Sequence, residues 1–198
     1  MIQYHHELFH IYTEQRSKNN NEFCGDSYYI TSDDNELICL LADGLGSGEF
    51  AYKASNAAVR VVEANPKSDI ETLMDLCNEA MSGKRGAAVA IFKVNLKTKV
   101  VQYSCVGNIR FFLFPHNEKA IYPMPVSGYL SGRYQKYRVH TFEYTPESRF
   151  IFYTDGFVPK QTNKLIKQGP VNEELMSKIA DEQSNLHDDI TYIIGSLF

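Results

Sequence analysis

The sequence predicts an α+β fold in which antiparallel sheets are covered by helices. Three observations predict it. Short β-rich runs fill the second half of the chain and are joined by hairpin-style connections. Two long helical patterns sit together after the second strand instead of alternating with strands one by one. The regular strand-helix-strand order of a parallel sheet is therefore missing.

Tyr28–Thr31 and Leu37–Leu41 read as strands on either side of the turn SDDNE. In GEFAYKASNAAVRVVEANP, residues Phe50, Ala54, Ala57, Ala58, Val61 and Val62 fall at helical spacing, and Pro66 closes the segment. A second helix fits Asp69–Met81, capped by Ser68 or Asp69, with Ile70, Leu73, Met74, Cys77, Ala80 and Met81 on its apolar face. AAVAIFKVNL, KVVQYSCVG, IRFFLFP and KAIYPMP follow as strands, separated by KTK, GN and HNE. Gly107-Asn108 reads as a tight hairpin turn. YQKYRVHTFEY and RFIFYTDG add two strands, a short helix lies around Val171–Ala180, and DITYIIGSLF ends the chain as a strand.

The 198 residues are most simply one domain, 1–198, without repeats or linkers. A net charge of −4 with no Lys/Arg block argues against sequence-independent nucleic-acid binding and against attachment to acidic membranes. The opening MIQYHHELFHIY does not read as a secretory signal, and no apolar run approaches a membrane span. Cys24, Cys39, Cys77 and Cys105 are scattered without metal or redox spacing, which suits reduced, mostly buried thiols in the cytoplasm.

The chemistry concentrates at strand ends. In LICLLADGLGSGEF an apolar run stops at Asp43 and three glycines follow within five residues. Glu49 occupies the third glycine position of a dinucleotide fingerprint, and the Gly-Lys-Ser/Thr of a Walker loop is absent. The simplest role of the glycines is to supply positive φ for a strand-to-helix turn. The same pattern recurs at Asp155-Gly156, while Asp26 and the pair Asp188-Asp189 stand just before strands. A single Asp-Gly is usually a turn. Several acidic positions at rigid strand ends suggest carboxylates that converge and need a divalent cation between them. An all-oxygen set favours Mg²⁺ or Mn²⁺ over Zn²⁺.

CGDS, ADGLGSG, RGAAVAIF, VGNIRFFLF, FYTDGF and DDITYIIG resemble, in this order, the motifs of the metal-dependent PPM or PP2C protein phosphatases, and most closely the bacterial sporulation-phosphatase branch. The resemblance runs from about Cys24 to Gly195. It implies a four-layer αββα sandwich of two mostly antiparallel sheets, with two Mn²⁺ or Mg²⁺ ions between them. It further implies a monomeric, cytoplasmic phosphoserine/phosphothreonine phosphatase. The implied partners are phosphorylated stressosome proteins of the RsbS and RsbR type, and the implied role is negative feedback on the general stress response. The alternatives are a phosphatase for another anti-sigma-factor antagonist and an inactive binding pseudophosphatase.

By position, Asp43 matches the bridging ligand, Gly44 the carbonyl ligand, Asp155 and Asp188 the further acidic ligands, and Asp26 a direct or water-mediated one. Asp43 and Asp155 are the catalytic candidates. The DDIT register favours Asp188; Asp189 falls where many relatives carry Asn. Leu45 stands where eukaryotic relatives have a His, and KNNNEFCGD lacks their phosphate-binding Arg. Arg85 either touches phosphate or substrate or is an ordinary exposed Arg at a strand start. Ser127–Gly132 is either a substrate-facing flap or a long connection. His5, His6, His10 and His187 read as surface residues.

Overall fold

The computed structural model describes residues 1–183 and 187–198. Its strands are β1 (Ile2–His6), β2 (Phe9–Arg16), β3 (Asp26–Ser32), β4 (Glu36–Gly44), β5 (Ala87–Asn95), β6 (Val100–Val106), β7 (Arg110–Phe114), β8 (His140–Glu143), β9 (Ser148–Tyr153) and β10 (Ile190–Leu197). The helices are α1 (Glu49–Ala64), α2 (Ile70–Ala80), α3 (Thr162–Gln168) and α4 (Glu173–Glu182). Two five-stranded sheets form, ordered β1-β2-β10-β9-β7 and β3-β4-β5-β6-β8. Every neighbouring pair within them is antiparallel.

Side-chain alternation builds four layers. In β4, Leu37, Cys39 and Leu41 enter the core between the sheets, while Ile38, Leu40 and Ala42 pack under α1 and α2. In β9, Phe150 and Phe152 face the other sheet, while Ile151 and Tyr153 pack under α3 and α4. These central strands are covered on both faces, which is why they read as continuous apolar runs although they are antiparallel. Phe92, Phe111 and Phe150 meet in the middle, with Phe92 ring centroids 4.8 and 4.9 Å from the other two. The αββα sandwich expected from the resemblance is the fold observed.

Several elements differ from the sequence expectation. β1 and β2 form a hairpin that the polar N-terminus hides, because β1 is an edge strand with no buried residue and β2 mixes its apolar residues with His, Thr, Glu, Gln and Arg. Gly107-Asn108 is not a hairpin turn: β6 and β7 belong to different sheets, and this segment carries the chain from one to the other. Gly107 has φ +127° and packs against Ala88, where a Cβ would come within 2.3 Å of the Ala88 side chain. KAIYPMP is reduced to a single bridge, Leu113 to Ile121, since its two prolines withhold N–H donors. In YQKYRVHTFEY only His140–Glu143 pairs, and α3 was not expected. On α1 the buried residues are Ala51, Ala54, Ser55, Ala58 and Val62, while Phe50 is 60% exposed.

Candidate metal and phosphate site

Asp26 opens β3 and Asp43 lies near the end of β4, and the two are directly paired across the ladder. Alternation along β4 turns Asp43 toward the facing sheet, after Leu41. Asp155 follows β9 and Asp188 precedes β10, the adjacent central strands of that facing sheet. The carboxylates thus gather at one end of the sandwich.

Their electrostatics register the crowding. The Asp43 carboxyl is pushed up to about 7, first by burial and then by Asp155, Asp188 and Asp189. Asp26 is 2% exposed and is raised well above the usual carboxylate range by burial and by Asp43. Asp155 is raised as well, by partial burial and then by Asp188. A neighbouring negative charge and a loss of water both disfavour the ionised form. Among the described residues, no three His, Cys, Asp or Glu side chains form a ready-made ligand shell.

Neutral hydrogen bonds hold the outer parts of the cluster. Thr154 Oγ1 donates to Asp26 Oδ2 at 2.7 Å and so reaches from one sheet to the other. The same oxygen accepts from the Thr191 backbone N–H at 3.0 Å. Asn108 Nδ2 donates to Asp155 Oδ2 at 2.6 Å. Sequence reading missed both residues: Thr154 lies inside an apolar strand run, and Asn108 reads as half of a turn.

The DD pair is divided by its contacts. Asp189 is buried and accepts N–H bonds at 2.8 Å from Lys18 on one oxygen and from Gly25 on the other. Asp188 is exposed and, among the described residues, accepts only the backbone N–H of Asp189 through Oδ1. Among the described residues, no hydrogen bond reaches Asp188 Oδ2.

Glycine is required here for close approach. A Cβ on Gly44 would lie 1.9 Å from the Ala51 carbonyl oxygen, and one on Gly156 would lie 2.1 Å from the Asp189 carbonyl oxygen. Gly44 N–H also donates to the Gly25 carbonyl at 3.1 Å, joining the start of β3 to the end of β4. The thiols offer no alternative chemistry. Cys24 is raised by burial and by Asp26 and Asp189, and Cys77 and Cys105 are each pushed up to about 12 by burial. None is a thiolate nucleophile.

Two facing sheets flanked by helices, with carboxylates brought from both sheets to one end, define the PP2C class of serine phosphatases. The chain belongs to the family described as Stage II sporulation protein E (SpoIIE), whose model matches residues 33–197. It is 42% identical over 183 residues to the phosphoserine phosphatase RsbX of Bacillus subtilis (strain 168), covering 92% of both chains. A crystal structure of RsbX in complex with magnesium superposes with a TM-score of 0.95 at 39% identity, over 100% of this chain and 99% of that one. The PP2C phosphatase domain of SpoIIE from Bacillus subtilis shares the fold at 15% identity, with a TM-score of 0.79 over 96% of this chain and 64% of that one.

Proposed function

We propose that this chain is a Mn²⁺- or Mg²⁺-dependent phosphatase that removes phosphate from phosphoserine and phosphothreonine of stress-signalling proteins, of the RsbS and RsbR type, as negative feedback on the general stress response. One observation carries the reading: carboxylates from both sheets crowd one end of the sandwich, and burial together with Asp155, Asp188 and Asp189 holds Asp43 up near 7. The 42% identity to a phosphoserine phosphatase supports the substrate class. Residues 1–198 act as one phosphatase domain, a cytoplasmic monomer in this reading. Among the described residues, no helix is long and apolar enough to cross a membrane.

The donor chemistry fits the metals. Carboxylates and the Gly44 carbonyl are hard oxygen donors, and a divalent cation would relieve the repulsion that raises Asp26, Asp43 and Asp155. In our assignment Asp43, Gly44, Asp155 and Asp188 would hold two such ions, and Asp26 would contribute directly or through water. When bound, a metal pair activates water and neutralises a phosphoryl group.

The chain's own residues supply position. Thr154 fixes the Asp26 carboxylate, and Asn108 fixes one oxygen of Asp155. Asp189 ties the segments before β3 to the entry of β10. Leu45, where eukaryotic relatives have a His, donates no proton, and water held at the site would be the default donor to the leaving serine oxygen.

The test is phosphate release from p-nitrophenyl phosphate and from purified phosphorylated RsbS- and RsbR-type proteins with Mn²⁺ present. Turnover should vanish in EDTA and fall at least about a hundredfold in Asp155→Asn. Turnover that survives either change would defeat the two-metal assignment. Mn²⁺ binding without turnover would instead make the protein a binding adaptor.

A further inference from the structure

Beside the carboxylate cluster lies a groove of about 670 Å³, lined by Phe50, Lys53 and Ala57 of α1 and by Lys84 and Arg85 of the turn before β5. Its lining carries three cations and no carboxylate. The carboxylate mouth next to it has the opposite sign.

Arg85 joins the two. The Leu45 N–H donates to the Gly86 carbonyl at 3.0 Å, so the turn before β5 runs beside the loop that follows Asp43-Gly44. Arg85 Nη1 lies so close to Gly46 that a Cβ there would come within 2.5 Å of it. Its guanidinium carbon sits 5.1 Å from the Phe50 ring centroid, a cation–π distance. Among the described residues it has no carboxylate partner.

The other cations are accessible too. Lys53 pairs with Glu49 at 2.8 Å, but both side chains are more than half exposed, and such a pair is readily exchanged. Lys84 Nζ donates to the Ala80 carbonyl at 2.7 Å at the end of α2, which spends one of its three donors. Phe50 keeps its ring in solvent although it belongs to a helix with a well-buried face. An exposed aromatic under a guanidinium is a common anchor at binding surfaces.

The groove is too large for a phosphate alone and is lined along α1 from residue 50 to residue 57. We propose that it binds an acidic polypeptide segment next to the phosphoserine of the substrate protein, with Arg85 and Lys53 reading its carboxylates and Phe50 packing its backbone or apolar side chains. This rests on the phosphatase reading and adds a specificity to it. Complementary charge at such a rim acts on encounter and on partner choice.

The experiment uses the full chain with Mn²⁺ and two phosphoserine peptides of equal length, one flanked by Asp and Glu and one by Asn and Gln. The acidic peptide should show a kcat/KM about tenfold higher. In the double variant Lys53→Glu/Lys84→Glu, both positions being exposed, the ratio should fall to about one or below, and Arg85→Ala should lower it as well. A ratio near one in the unaltered protein, or an unchanged ratio in the double variant, overturns the docking proposal. Failure of the unaltered protein to hydrolyse p-nitrophenyl phosphate at all would instead overturn the phosphatase reading on which it rests.

Discussion

Both carboxylate oxygens of Asp189 accept backbone N–H groups, from Lys18 and Gly25, while its neighbour Asp188 keeps one oxygen uncommitted among the described residues. This difference was not visible in the string DDIT, where register alone favoured Asp188, because the partners lie more than 160 residues away. It predicts opposite phenotypes. Asp189→Ala leaves two N–H groups without their charged acceptor and should cost about 2–4 kcal/mol in metal-free urea unfolding. Asp188→Ala removes an exposed charge that raises Asp43 and Asp155, so it should leave metal-free stability unchanged or slightly higher at neutral pH while weakening Mn²⁺ binding. Asn108 extends the argument. Its amide holds Asp155 Oδ2, so Asn108→Ala should raise the Mn²⁺ dissociation constant by about tenfold or more in calorimetric titration. An unchanged Mn²⁺ affinity would make Asn108 a bystander. Asp26, Asp43 and Asp155 were legible because each interrupts an apolar strand pattern at its end; Asn108 was not, because Gly-Asn reads equally well as a turn.

At the scale of elements, the legible parts were those with a local signal. α2 begins and ends where its pattern says: Asp69 caps it by accepting from Thr72 N–H at 2.7 Å, and Ile70, Leu73, Met74 and Cys77 are buried. α4 has the same logic, with Asn172 accepting from Leu175 N–H. α1 departs from its expected face at the first turn. Helical spacing allowed Phe50 inside, but the buried residue of the first turn is Ala51, whose backbone passes close over Gly44. The buried stripe keeps helical spacing but starts at Ala51, so Phe50 stands just outside it and lines the basic groove. The contact also makes a prediction. Gly44→Ala drives its methyl into the backbone of α1, where no side-chain rotation relieves it, and should destabilise the chain by about 1–3 kcal/mol. It should also displace the Asp43 loop and reduce Mn²⁺ binding. A Gly44→Ala protein with unaltered thermal midpoint and metal affinity would show that α1 can shift without cost. The Gly107-Asn108 crossover failed to declare itself for a related reason: a two-residue link between strands has the same local signature whether or not the strands pair.

The whole molecule brings carboxylates of two separately formed sheets to one end, and this sets its response to pH. The sequence announces each sheet through its strands, but not that Thr154 of one would donate to Asp26 of the other. Assembly of the sandwich therefore creates a repulsion that the unfolded chain does not have. Asp43 is held near pH 7 in the fold against about 3.9 in an unfolded chain. Asp26 and Asp155 shift in the same direction. Below about pH 4, Asp43 is protonated in both states and folding meets no penalty from it. Between about pH 4 and 7 the native state binds more protons than the unfolded one, so stability falls as pH rises. Above about 7 the loss is complete, at up to about 4 kcal/mol from Asp43. The metal-free protein should accordingly melt at a higher temperature at pH 5 than at pH 8, the reverse of a protein stabilised by paired carboxylates. Asp43→Asn removes the ionising group and should flatten this slope, melting higher than the parent at pH 8 and close to it at pH 5. Mn²⁺ binds the ionised carboxylates, so its stabilising effect should be larger at pH 8 than at pH 5. Scanning calorimetry of both proteins at the two pH values, with EDTA and with Mn²⁺, tests each part. A metal-free parent that gains stability from pH 5 to pH 8 would mean that the carboxylates are not in mutual conflict, and the physical reason for placing cations between the sheets would go with it.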